Sequence, residues 1–140
     1  GILCFFPQIW ASDNTDAVYR VNGMTGYSYG YPMSVMGAHV SSCPNHQTLR
    51  TTPLETRFAV AAFGVLGYEC NLCDMKKEDL EEIRKQIALY KEWRNVLQYG
   101  TFYRGRNAKI HEWTCVSEDK RIVFTGFIMI STEAPDEHAA

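Results

Sequence analysis

The sequence predicts an α/β fold, a parallel sheet followed by an antiparallel hairpin, and three observations predict it. Apolar runs alternate with helical patterns three times between residues 2 and 97, the order that builds βα units on a parallel sheet. The first run, ILCFFPQIW at 2–10, is continuous rather than alternating, as strands covered on both faces are. Beyond Gly100, HEWTCVSEDKRIVFTGFIMIS alternates in two halves around a polar SEDK, the pattern of two antiparallel strands and a turn.

Taken in order, 2–10 is a strand interrupted by Pro7, and SDNTDA at 12–17 opens a short helix, AVYRV, that Asn22, Gly23 and Gly26 end. Tyr27–Tyr31 reads as a second strand, weakened by Gly30 and closed by Pro32. Residues 33–53 form a long polar connection, and connections of that length are usually functional or carry irregular helix. LETRFAVAAF at 54–63 is helical and VLGYECNL at 65–72 is a third strand. The clearest helix covers 76–97, where Leu80, Ile83, Ile87, Tyr90 and Leu97 recur at helical spacing. The last eight residues, EAPDEHAA, read as frayed.

At 140 residues the chain can form one domain with a real core. Fourteen Lys and Arg against 16 Asp and Glu give a net charge of −2, so no basic excess points to nucleic acid. No run reaches the roughly 18 apolar residues that span a membrane. Five cysteines at irregular spacing leave at least one thiol unpaired, which favours a reducing compartment. With no secretory leader pattern in residues 1–10, the expected location is cytoplasmic.

Several constellations could carry chemistry. His39, Cys43 and His46, with Cys70-x-x-Cys73, include zinc-type ligands, but the spacing matches no finger and the cysteines read as incidental. Cys43 stands between two histidines, with nothing to orient a triad. His39 is a substrate ligand or a satisfied loop histidine. Arg50 and Arg57 bind an anion, or pair with Glu55 and loop carbonyls. Asp13 and Asp16 are three residues apart after an apolar strand. Active sites of parallel barrels lie at strand C-terminal ends, so Asp13 has the address of a general acid. Ser12 or Asp13 could equally cap the helix that follows, with Asp16 favourable against its dipole.

The residues PQIWASDNTDAV, YPMSVMGAHVSSCPNHQTLRTTPLETR and GYE, with an acidic helix carrying QIALYK, resemble the α-galactosidases of glycoside hydrolase family 36 from about residue 7 to about 104. HEWTCVSEDK resembles the start of that family's C-terminal β domain. The resemblance implies the last three βα units of a (β/α)8 TIM barrel in residues 1–98 and the beginning of an antiparallel C-terminal β domain in 99–140. It implies hydrolysis of terminal α-galactosides of the melibiose and raffinose type with retention, without metal or organic cofactor, and a homo-oligomer in the full-length form.

The first Asp of the family's SDNTD motif is its acid/base residue, which makes Asp13 the general acid/base here and Asp16 the helix-start carboxylate. Trp10, Ser12 and Asn14, nearest in sequence, are the candidate substrate-binding residues. The family's nucleophile belongs to a W-D-M-N-like motif on an earlier barrel strand, and this chain has none, so the 140 residues alone are expected to be inactive and to associate through open sheet edges. The rival reading is a non-catalytic remnant that acts only by such association. The chain departs from the family at Tyr19 (usually Glu), Gly30 (a large apolar residue), Leu49 (Gly), Asn71 (Asp) and Lys76 (a helix-capping Ser), and in its CNLC segment.

Overall fold

A computed structural model describes residues 1–107 and 110–129. Helix α1 is Ala17–Tyr27, strand β1 Gly37–Ser41, α2 Leu54–Ala61, β2 Val65–Glu69 and α3 Lys77–Tyr99; strands β3 Thr101–Arg106, β4 Ile110–Val116 and β5 Val123–Met129 follow. The architecture is α/β, with two sheets. β1 and β2 are parallel, with His39 opposite Gly67 and Ser41 opposite Glu69. β3, β4 and β5 form an antiparallel sheet in that order. The expected frayed tail at 133–140 and the last residues of the expected hairpin lie outside the described residues.

The expected strand at 2–10 is not one. Ile2–Cys4 form a 3-10 turn, and among the described residues the segment shares backbone hydrogen bonds with the sheet edge only at Ile9, which bridges Met36 in parallel. Ile9 N–H donates to Val35 O at 2.8 Å and Ile9 O accepts from Gly37 N–H at 2.8 Å. Pro7 has no N–H to give a ladder. Phe5 is 82% and Phe6 62% exposed, so these two rings point outward, while Ile9 packs against the core.

The second expected strand is also corrected. α1 runs through Gly23 and Gly26 to Tyr27 because Ala17, Arg20, Val21, Met24 and Thr25 share one buried face. Each glycine costs a helix about 1 kcal/mol against alanine, which burial of that face outweighs. The second strand is GAHVS, inside the stretch expected to be a long connection. Its Ala38 and Val40 are fully buried and belong to the same apolar cluster as Val21 and Met24 of α1 and Val60 and Ala61 of α2. By strand alternation the other face of β1 carries Gly37, His39 and Ser41.

α2 and α3 form where their apolar spacing places them. Lys76 is the N-cap of α3 and makes no side-chain cap hydrogen bond, and Glu78 and Asp79 occupy the first turn, where their charge suits the helix dipole. Tyr90 Oη on α3 donates to Gly64 O at 3.1 Å and Tyr68 Oη to Gln86 Oε1 at 2.9 Å, tying α3 to β2. Gly100 ends α3, and β3, absent from the sequence reading, begins at once. The SEDK turn is present: Lys120 N–H donates to Ser117 O at 2.9 Å. Trp113 of β4 is fully buried and its Nε1–H donates to Thr25 Oγ1 of α1 at 3.0 Å, so one core joins both sheets.

Candidate active site

The segment after the Ile9 bridge is locked by its own side chains. Ser12 Oγ accepts from Asn14 N–H at 3.0 Å, Asn14 Oδ1 from Asp16 N–H at 3.0 Å, and Asp16 Oδ1 from Tyr19 N–H at 2.9 Å. Such short side-chain-to-backbone bonds define Asx and Ser/Thr turns and the N-cap. The cap of α1 is therefore Asp16, not Ser12 or Asp13. Asp13 is exposed, and among the described residues its carboxylate has no hydrogen-bond partner.

The connection after β1 folds back to hold this segment from below. Asn45, buried behind the cis Cys43–Pro44 bond, donates from Nδ2 to Thr15 Oγ1 at 3.2 Å. Its Oδ1 accepts from Gln47 N–H and Thr48 N–H, each at 3.0 Å. Thr48 Oγ1 then donates to Asp16 Oδ2 at 2.9 Å, and Arg50 Nη1 to Asp16 Oδ1 at 2.6 Å. Burial pushes the Asp16 carboxyl up, but the Tyr19 N–H, the Thr48 hydroxyl and the Arg50 charge together hold it below the ordinary carboxylate value. Arg57 donates to the carbonyls of Ser41 and Thr52, which settles it as a loop brace. Arg50 instead pairs with Asp16.

Beside this loop the face of β1 carries His39. Trp10 packs edge-on against it, ring centroids 4.5 Å apart at 64°, and a Cβ at Gly67 would meet His39 Cδ2 at 2.6 Å. His39 is thus a strand residue between Trp10 and β2, not a loop histidine. Its Nδ1 lies 3.9 Å from Glu69 Oε2 and has no hydrogen bond among the described residues. Burial, then the charge of Arg20, hold its pKa below the ordinary imidazole value, against Glu69. Arg20 itself is buried and donates to Gly37 O at 2.9 Å, the carbonyl that the departing chain leaves free beyond Ile9.

Of the sequence-derived candidates, Trp10 (55% exposed) and Asp13 present free surface, while Ser12 and Asn14 each commit an oxygen to the loop. Asn14 keeps its amide N–H donors. Sequence reasoning did not find the Asp16–Arg50 pair or the proximity of Trp10, His39 and Glu69; the parallel register of GAHVS with VLGYE is the signal that places His39 and Glu69 on one face. Among the described residues no three His, Cys, Asp or Glu side chains gather as a metal site, and no helix is long and apolar enough to cross a membrane.

The family model for melibiase matches residues 1–100. The chain belongs to the melibiase family. Melibiase relatives include the α-galactosidase AgaA of Geobacillus stearothermophilus, 41% identical over 140 residues. The bifunctional α-galactosidase/sucrose kinase AgaSK of Mediterraneibacter gnavus is 41% identical over 137. Each match covers 96% of this chain, but only 19% of AgaA and 15% of AgaSK. The crystal structure of AgaA superposes with a TM-score of 0.91 at 40% identity, over 96% of this chain and 19% of that one. Variants of AgaA have been solved in complex with raffinose and with stachyose. The chain thus spans less than a fifth of the length of these melibiase relatives.

Proposed function

We propose that the chain forms part of the catalytic region of an α-galactosidase, with Asp13 as general acid/base. The observation that carries this reading is the division of labour between two aspartates three residues apart. Asp16 is buried and saturated with donors, which fixes the loop. Asp13 is exposed on that fixed loop, where the parallel segment at Ile9 exits, the side on which parallel barrels place their chemistry. Residues 1–98 correspond to the last three βα units of a (β/α)8 barrel and 99–140 to the start of a C-terminal β domain. The α-galactoside complexes of AgaA support the substrate class.

The reaction is a double displacement. A carboxylate nucleophile, supplied from outside these 140 residues, attacks the anomeric carbon while protonated Asp13 gives its proton to the leaving oxygen. Asp13 then takes a proton from water, which attacks the same carbon and releases galactose with retained configuration. Retention requires the two carboxyls roughly 5 Å apart. Trp10 offers an aromatic face and Asn14 an amide donor beside the acid; Ser12 shapes the loop between them. The isolated chain, lacking the nucleophile, does not turn over.

The test is Asp13→Gly in the full-length protein that carries this chain, on two aryl α-galactosides. General acid catalysis is worth roughly 10²–10⁴-fold, so loss should be large with a poor leaving group and small with an activated one. Azide should restore turnover and yield the α-galactosyl azide, since it enters on the face Asp13 occupies. A loss independent of the leaving group, or a β-azide, would overturn the assignment.

A further inference from the structure

A cavity lies at the C-terminal ends of β1 and β2, and Trp10, Asp13 and His39 are not among its lining residues. Three sulfur-bearing side chains, Cys43, Cys70 and Met75, line one cavity of about 300 Å³. They come from three segments: the loop after β1, the residue following β2, and the residue before the cap of α3. The Cys70 thiol donates to the Met75 thioether, Sγ to Sδ 3.9 Å. Two sulfurs each about 2.3 Å from a shared ion at a trigonal angle stand about 4.0 Å apart, so an ion in place of the shared thiol proton would leave the separation of this hydrogen-bonded pair nearly unchanged. Cys43 Sγ, the third sulfur, is held by Thr52 O at 3.7 Å. Both Cys43 and Cys70 are free thiols.

We propose that Cys43, Cys70 and Met75 bind a monovalent thiophilic d¹⁰ ion, copper(I) or its stand-in silver(I). Two thiols with one thioether are a soft donor set that suits such an ion, and a thioether is not among the usual ligands of zinc. Binding replaces the two thiol protons, which leave to solvent, and forms two thiolate bonds and one thioether bond. The complex then carries one net negative charge, and the guanidinium of Arg57, which lines the same cavity, compensates it. Oxidation states do not change.

The experiment titrates the full chain with silver(I) in chloride-free, thiol-free buffer, with native mass spectrometry and competition against a silver chelator as readouts. One ion per chain is expected. Cys70→Ser, Cys43→Ser and Met75→Leu should each weaken it at least tenfold, while Cys4→Ser and Cys73→Ser leave it unchanged. Met75→Leu conserves volume, so that variant decides the matter if a cysteine variant fails to fold. Silver held by Cys70 and Cys73, with Met75→Leu silent, would overturn the proposal, as would binding no tighter than to a free thiol.

Discussion

Arg50 Nη1 stands 2.6 Å from Asp16 Oδ1, and that contact joins the connection after β1 to the first residue of the α1 cap. The two partners are unequal: the Asp16 side chain is 1% exposed and that of Arg50 46%. Removing the arginine leaves Asp16 with Tyr19 and Thr48 as donors, whereas removing the carboxylate strands the Tyr19 N–H and the guanidinium and leaves the Thr48 hydroxyl only the longer bond to Asn45 Oδ1 at 3.3 Å. Asp16→Ala should therefore cost about 2–4 kcal/mol and Arg50→Ala no more than about 1 kcal/mol. Urea unfolding of the two variants measures the asymmetry, and equal losses would mean that the ion pair, not the cap, is the main contribution.

The same carboxylate predicts an acid limb in stability. Its folded pKa lies below the unfolded value, so the native state binds fewer protons there. The contribution is complete above the unfolded value of about 3.9 and is lost as pH falls through the folded one. His39 and His111 are also depressed in the folded state, chiefly by burial, and by the same sign cost stability as pH falls below about 6.5. The windows separate the groups. The difference in urea midpoint between wild type and Asp16→Asn should be flat from about pH 7 to 5 and shrink below about pH 4. The histidine contributions are shared by the two proteins and cancel in that difference, so one that shrinks already at pH 6 would overturn the assignment of a depressed carboxyl to Asp16.

Leu49 sits at φ 57° and is 77% exposed. The left-handed region costs an L-residue roughly 1–2 kcal/mol, and this exposed side chain recovers little by burial. Glycine removes that cost but adds freedom to the unfolded chain worth about 0.5–1 kcal/mol. Leu49→Gly should therefore stabilise by about 0.5–1 kcal/mol, seen as a rise in urea midpoint. Leu49→Ala, which keeps the Cβ clash, should not.

The elements legible in the sequence are those whose signal is local. α2, α3 and the β4–β5 hairpin follow from apolar spacing and from a polar turn. The aspartate at the start of α1 was legible as a helix-start carboxylate because capping is set within three residues. GAHVS hid because a strand built of small residues and a histidine has no β-branched pattern; its identity comes from Ala38 and Val40 packing on α1 and α2. ILCFFPQIW misled for the opposite reason, being apolar enough for a buried strand yet bonded only through Ile9. The Asp16–Arg50 contact spans 34 positions, and no local pattern encodes such a pairing.

Two glycines, Gly64 just before β2 and Gly67 within it, separate fold from site. At Gly64 an added Cβ would stand 2.7 Å from Met36 O and 2.8 Å from Ala38 Cβ, neither of which is a flexible end. Gly64→Ala should cost about 1–3 kcal/mol by overpacking. At Gly67 the obstacle is the His39 ring, which can rotate away, but only by displacing Trp10 from its edge. Gly67→Ala should thus lower the urea midpoint less than Gly64→Ala while shifting tryptophan emission, and the shift should vanish in a Trp10→Phe background. In the full-length protein it should also raise KM for an aryl α-galactoside more than it lowers kcat, because Trp10 moves and the Asp13 loop does not. An unchanged emission spectrum with a large stability loss would show that His39 is held rigidly, and that Trp10 depends on something other than this ring for its place.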